Sequence, residues 1–132
     1  MAVRFEFDST NKLLVVRLDG RLTDESLKEF YEAVRKHATA TDARMGIADF
    51  SAVTEFDVSS QMIRELAGRE PAVPDATLRP RTIAAPQKFA YGLFRMFQLL
   101  GETTRPLLTV VHTMDEALAQ FGIRSTQLEP LE

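Results

Sequence analysis

The residues best suited to chemistry lie in one short segment, ADFSAVTEFDVSSQM, at residues 48–62. It holds Asp49 and Asp57, eight positions apart, and Ser59 and Ser60 shortly after the second aspartate. A serine at the start of a helix can accept a phosphate, act as a nucleophile or cap the helix. The segment therefore leaves three roles open: a phosphorylation switch, a hydrolytic site and a structural cap.

A hydrolytic site is the weakest of the three. A serine nucleophile needs a base within hydrogen-bond reach, and His37 and His112 have neither a neighbouring acid nor a G-x-S-x-G context. The chain has no cysteine, no phosphate-binding glycine loop and no cluster of metal ligands. Asp49 lacks the acidic pair and the lysine that a receiver-type phosphoacceptor requires, and is predicted to be a polar strand terminus. We therefore expect a non-enzymatic protein without metal or cofactor.

Length and composition limit the number of domains, the classes of partner and the cellular compartment. The 132 residues suit one domain, and a net charge of −3 gives no basic surface for nucleic acid. The N-terminus has no apolar run of the kind found in signal peptides, and no segment approaches membrane-spanning length. With no cysteine to form disulfides, the cytoplasm is the expected compartment.

The hydrophobic pattern predicts alternating strands and helices. Val3, Phe5 and Phe7 alternate with polar residues, which indicates a strand that forms a hairpin with KLLVVRLDG. Thr23 is predicted to cap a helix over 24–38. The remaining predicted elements are strands at ARMGIADF, RTIAAP and PLLTVVHT, helices at 59–69, QKFAYGLFRMFQLLGETTR and MDEALAQF, and a loop at EPAVPDATLRP. The order β-β-α-β-α-β-α-β-α predicts an α/β domain with a mixed five-stranded sheet and about four helices over 1–123, followed by a tail at 124–132.

This order, together with IADFSAVTEFDVSSQMI, resembles the STAS domain of bacterial anti-sigma-factor antagonists. Residues 3–123 are most similar to the SpoIIAA-like branch, whose function is unknown; YGLFRMF and VVHTMDEAL resemble recurring segments of that branch. The resemblance matches Asp49 and Asp57 to two aspartates of the antagonists and Ser59 to a serine in the pair that a partner kinase modifies. Val58 stands where the antagonists carry the first serine, and Ser60 where they carry a glycine.

The charges around Ser59 favour a cap over a switch. Glu55 and Asp57 lie within four residues and would repel a phosphate, and the first cation after them, Arg64, is a turn further along the helix. We therefore predict that Ser59 caps the helix and is not phosphorylated.

The long predicted helix carries an unusually wide apolar arc. At about 100° per residue, its large side chains cover roughly 220°, against the ≳100° stripe typical of a surface helix. In a purely structural arrangement, a neighbouring helix or the loop in the 70s covers the remainder. Otherwise the flank bearing Phe94 and Phe97 is expected to meet a second subunit, a lipophilic ligand or a membrane surface. The predicted interface or pocket comprises Phe89, Leu93, Phe94, Met96, Phe97 and Leu100.

Two functions from different classes follow. The first is a regulatory module that acts through protein–protein interaction, with a homodimer as the expected assembly. The alternative is a carrier or sensor of a small lipophilic molecule with peripheral membrane association. The resemblance implies this alternative, because the SpoIIAA-like branch is similar in fold to the CRAL-TRIO lipid-transfer domains.

Overall fold

A computed structural model describes residues 2–72 and 79–131, so the middle of the loop predicted at EPAVPDATLRP lies outside the described residues. Within those ranges, the strands are β1 (Ala2–Asp8), β2 (Leu13–Thr23), β3 (Met45–Asp57), β4 (Arg81–Ala84), β5 (Leu108–Val111) and β6 (Glu129–Leu131). The helices are α1 (Asp24–Ala40), α2 (Ser60–Ala67), α3 (Lys88–Leu100) and α4 (Met114–Gln120).

The strands form one mixed sheet in the order β5-β4-β3-β2-β1-β6. Strands β2 to β5 are parallel, which requires the helical crossovers α1, α2 and α3, while β1 pairs antiparallel with β2 and with β6. The predicted α/β class with four helices is confirmed. The predicted count of five strands is wrong, because β6 lies in the segment expected to be a tail. Only three residues of β6 pair with β1, too few to give a period-two pattern.

Each face of the sheet has its own apolar core. One face packs against α1, α2 and α3 through side chains such as Leu14, Val16 and Phe50. The other face carries Leu13 and Val15 beneath α4. Because alternate residues of a strand point to opposite faces, the unbroken apolar run in β2 supplies both cores at once.

The helix boundaries follow local capping signals. Thr23 accepts a hydrogen bond from the Ser26 amide, and Ser26 in turn accepts one from the Thr23 amide, which confirms the predicted cap of α1. Thr113 accepts from the Glu116 amide at the start of α4. Gly122 follows α4 with a φ of 68°, a left-handed conformation that glycine adopts without strain.

Asp8 joins the first hairpin to the C-terminal segment. Its side chain is fully buried and accepts hydrogen bonds from the amides of Thr10, Asn11 and Gln127 and from the Asn11 side chain. These bonds, led by those from Asn11, lower the pKa of the Asp8 carboxyl. The ionised side chain thus holds the β1–β2 turn and brings the chain near Gln127 alongside it, just before β6.

Asp8→Asn should therefore destabilise the fold at neutral pH, since an amide group would face several N–H donors. A carboxyl whose folded pKa is depressed contributes stability above its unfolded value of 3.8 and loses that contribution as the pH falls through the folded value. Urea denaturation should show that Asp8→Asn lowers the free energy of unfolding more at pH 7 than at pH 3. Glu32→Gln, an exposed change on α1, is the control. An equal loss of unfolding free energy at both pH values would show that the charge of Asp8 does not stabilise the fold.

Candidate functional site

The Ser59 side chain is tied to the start of another helix. Ser59 caps α2 by accepting a hydrogen bond from the Met62 amide at 3.1 Å. Its own hydroxyl donates to Asp24 Oδ2 at 2.7 Å, and its amide donates to Asp24 Oδ1 at 2.8 Å. Asp24 is the first residue of α1, so one carboxylate lies at the N-termini of α1 and α2, where helix dipoles favour negative charge. Sequence analysis missed Asp24 because the pair is 35 positions apart.

The neighbours of Ser59 differ in their surroundings. Asp57 is exposed and pairs with Arg21 at 2.5 Å, and Arg21 also lies 3.4 Å from Glu55. A cation therefore lies close to these acids in space, although sequence analysis found none just before the helix. Ser60 is exposed, and Val58, at the position of the antagonists' first serine, is buried in the core.

Asp49 lies away from these contacts, on the face of the sheet that carries Arg17. Its predicted place at a strand terminus is wrong, because β3 continues to Asp57. Asp49 is buried, bonds to Arg17 Nη1 at 3.1 Å and accepts a hydrogen bond from the Ser51 amide. Arg17 also pairs with Glu6 at 2.5 Å, which makes a charged cluster across three strands. The resemblance grouped Asp49 with Ser59, but no contact joins these two residues among those described.

The histidines are engaged elsewhere. His37 stacks on Phe5 at 3.8 Å between ring centres, and His112 stacks on Tyr91 at 4.0 Å. Across residues 2–72 and 79–131, no three acids or histidines are grouped so as to hold a metal ion. The described helices are too short or too polar to cross a bilayer.

Helix α3 buries one side of its apolar arc in the core. Phe94 is only 5% exposed, and its ring centre lies 4.5 Å from that of Phe50. Phe94 is therefore not part of an exposed surface, because the inward direction of the helix passes through Ala90 and Phe94. The helix is also shorter than predicted and ends at Leu100, followed by Gly101.

The opposite side of α3 is apolar and open. We call Phe89, Leu93, Met96, Leu99 and Leu100 the α3 outer stripe. Phe89 and Leu99 are each 59% exposed and Leu100 is 53% exposed, while Leu93 and Met96 are partly buried. Gly92 lies beside the stripe, and a Cβ added there would meet no atom within 4 Å. A neighbouring surface could therefore approach the backbone closely.

An apolar cavity of about 130 Å³ lies between the helices and the sheet. Phe94 and Phe97 of α3 line it together with Leu27 and Phe30 of α1. Phe89, Leu93, Met96 and Leu100 of the predicted pocket are not part of its wall. The predicted set thus divides between an inner cavity and the outer stripe.

Arg105 forms part of the cavity wall and connects three segments. It is 3% exposed, and its guanidinium donates to the carbonyls of Leu66, Ala67 and Arg69 at the end of α2 and to the Tyr31 hydroxyl of α1. Its Cζ lies 4.8 Å above the Phe97 ring. The Leu66 carbonyl also accepts a bond from the Arg69 amide, and the bond to Ala67 reaches a carbonyl of the last turn, where a helix leaves acceptors unpaired. A Cβ at Gly101 would lie 2.9 Å from Arg105 Nη1, so glycine gives the guanidinium its space.

The sheet order, the crossovers and the helix start after β3 define an α/β domain with one mixed sheet. Among solved structures, the chain is similar to the anti-sigma factor antagonist SpoIIAA in its unphosphorylated form, with a TM-score of 0.61 and 21% identity over 94% of this chain and all of the other. It is also similar to the Bacillus cell fate determinant SpoIIAA in the phosphorylated form, with a TM-score of 0.51 and 20% identity over 90% of this chain and 98% of the other. No protein-family model and no curated protein sequence matches the chain. The structural similarity establishes the SpoIIAA fold.

The contact between Ser59 and Asp24 predicts a coupled pair of mutations. Ser59→Ala should lower the free energy of unfolding by about 0.5–2 kcal/mol, since the cap of α2 is lost. Asp24→Ala should be destabilising as well. The double variant should lose less unfolding free energy than the sum of the losses in the two single variants. Urea denaturation measures all three, with Ser60→Ala as the control. Strict additivity would show that the contact contributes nothing.

Arg105→Met should lower the free energy of unfolding by at least about 2 kcal/mol, because buried carbonyls left unsatisfied cost about 1–3 kcal/mol each. The free energy of unfolding of Arg105→Lys should lie between those of wild type and Arg105→Met, since lysine keeps the charge but not the planar set of donors. Arg124 is exposed, so the free energy of unfolding of Arg124→Met should stay within about 0.5 kcal/mol of the wild-type value. Equal stability of Arg105→Met and Arg124→Met in chemical denaturation would exclude a structural role for Arg105.

Proposed function

We propose that this protein is a non-enzymatic regulatory module that acts by binding another protein through the α3 outer stripe. The observation that carries the proposal is the exposure of Phe89, Leu99 and Leu100 along one helix face. Large apolar side chains grouped on a surface mark interaction sites, since burying each contributes about 1.5–3 kcal/mol. The regulatory part of the proposal is supported by the fold, because SpoIIAA is an anti-sigma factor antagonist.

A second copy of the chain is the partner that we propose first. The outer stripe contains no charged residue, so two stripes can meet without burying an unpaired charge. In a two-fold symmetric dimer the same patch faces itself, and antiparallel helices would bring Phe89 of one copy near Leu100 of the other. The open position at Gly92 allows the two helices to pack closely.

Phosphorylation is not part of the proposed mechanism. Phosphorylating Ser59 would replace a hydroxyl that donates to Asp24 with an anion next to that carboxylate, which is unfavourable. Asp24 already supplies negative charge at the start of α2. We therefore propose that Ser59 has a structural role in this chain, and that regulation depends on occupancy of the outer stripe.

Leu100→Glu should convert a dimer to a folded monomer, because the charge would have to be desolvated at the interface. Sedimentation velocity at micromolar concentrations measures the assembly, and circular dichroism checks the fold. Ala119→Glu places the same charge on the exposed surface of α4 and should leave the dimer intact. A monomeric wild-type chain, or a dimer that persists with Leu100→Glu, would contradict the proposed interface.

A second candidate function is the binding of a small lipophilic molecule, and the cavity favours it. Its wall combines aliphatic and aromatic side chains from three helices and the sheet. A cavity of about 150 Å³ with such a lining stays dry and accepts benzene, so the volume observed here suits a ligand of about that size. Long-chain lipids exceed this volume, and the lipophilic molecule expected from the sequence is accordingly small.

A further inference from the structure

The α3 outer stripe has a charged residue beyond each of its ends. Lys88 is the first residue of α3, and Glu102 lies two residues after the last, Leu100. Both side chains are exposed, and neither forms an ion pair or a side-chain hydrogen bond within residues 2–72 and 79–131. A helix rises about 1.5 Å per residue, so the two charges lie roughly 20 Å apart at opposite ends of the stripe.

The signs of these two charges are the opposite of those that their own helix favours. A helix has partial positive charge at its N-terminus and partial negative charge at its C-terminus, so acids stabilise the start and bases the end. Helices α1 and α4 follow this rule, with Asp24 and Asp115 in their first turns. Helix α3, all of which the structure describes, begins with Lys88, has no acid in its first turn and no base in its last, and is followed by Glu102. Charges that conflict with local structure in this way are expected at functional sites.

An antiparallel second copy removes this conflict. In a two-fold symmetric dimer of that kind, the start of one α3 lies beside the end of the other. Lys88 of one copy then meets Glu102 and the negative helix end of the other copy, and Glu102 meets the positive helix end. A parallel arrangement would bring Lys88 to Lys88 and Glu102 to Glu102, and like charges repel. The two charges therefore favour the antiparallel orientation.

The remaining charge of α3, Arg95, is engaged within its own chain. Its guanidinium donates to Gln98 Oε1 at 2.5 Å, and the Gln98 amide group donates to the Leu108 carbonyl of β5 at 2.9 Å. Arg95 is thereby tied to the side of the helix that faces β5. The separation of Lys88 from Glu102 corresponds to about four helical turns, which places both along one border of the stripe.

Resting on the homodimer proposed above, we propose that Lys88 of each copy pairs with Glu102 of the other, and that these two ion pairs fix the antiparallel orientation. The apolar stripe supplies the affinity, but apolar burial has no direction. Charges at the rim of an interface select the orientation and the partner. The stripe with its two charges is complementary to itself, so the partner that it fits is a second copy of this chain.

Reversal of each charge in the full chain tests this pairing, with dimer dissociation constants measured by sedimentation equilibrium. Lys88→Glu and Glu102→Lys should each raise the dissociation constant about fivefold or more, because two like-charged pairs replace two opposite ones. The double variant, and an equimolar mixture of the two single variants, should recover the dimer because both restore opposite charges in each pair. Lys28→Glu and Glu32→Lys make the same charge changes at exposed positions of α1 and should leave the dissociation constant near that of wild type.

The outcomes separate the ion pairs from the interface itself. If both reversals dimerise like wild type while Leu100→Glu does not, the ion pairs are overturned and the outer-stripe dimer stands. A monomeric wild-type chain would overturn both. Weaker association of Lys88→Glu with tighter association of Glu102→Lys would show a response to net charge alone and overturn the pairing. A mixture of the two single variants that stays monomeric would overturn it as well.

Discussion

The buried guanidinium of Arg105 is the contact on which the arrangement of the helical layer depends. It donates hydrogen bonds to backbone carbonyls at the end of α2 and to the Tyr31 hydroxyl on α1, and it lies against the Phe97 ring on α3. One side chain thus links all three helices on that face. Burying a guanidinium is costly, and the carbonyls and hydroxyl around it offset that cost. Hydrophobic contacts alone would not fix the end of α2 in the same way, because they have no direction.

The two apolar surfaces of α3 follow from this arrangement. Phe94 packs on Phe50 on the side of the helix that faces the core, while Phe97 and Arg105 line the cavity beneath it. The outer side keeps Phe89, Leu99 and Leu100 exposed. We infer binding from both features: the outer stripe suits a protein partner, and the cavity suits a small lipophilic molecule.

Local features could be predicted from the sequence, and contacts between distant residues could not. Thr23, Thr113 and Gly122 act through neighbours within a few positions, so the start of α1 and both ends of α4 were predictable. The extension of β3 to Asp57, the pairing of β6, and the bond between Ser59 and Asp24 depend on segments brought together by folding. The hydrophobic periodicity predicted the width of the apolar arc on α3 but not which part of the arc faces the core. The exposed apolar residues of this helix were therefore only partly predicted.

Hydrogen exchange of the wild-type chain at low and high protein concentration tests the central claim most directly. If α3 forms the contact between copies, amides in residues 89–100 should gain protection as the concentration rises, because association suppresses local opening. Amides near Ser59 and Met62 should not change. Protection that rises around the start of α2 and not along α3 would contradict the account, and would place the contact at the serine segment instead.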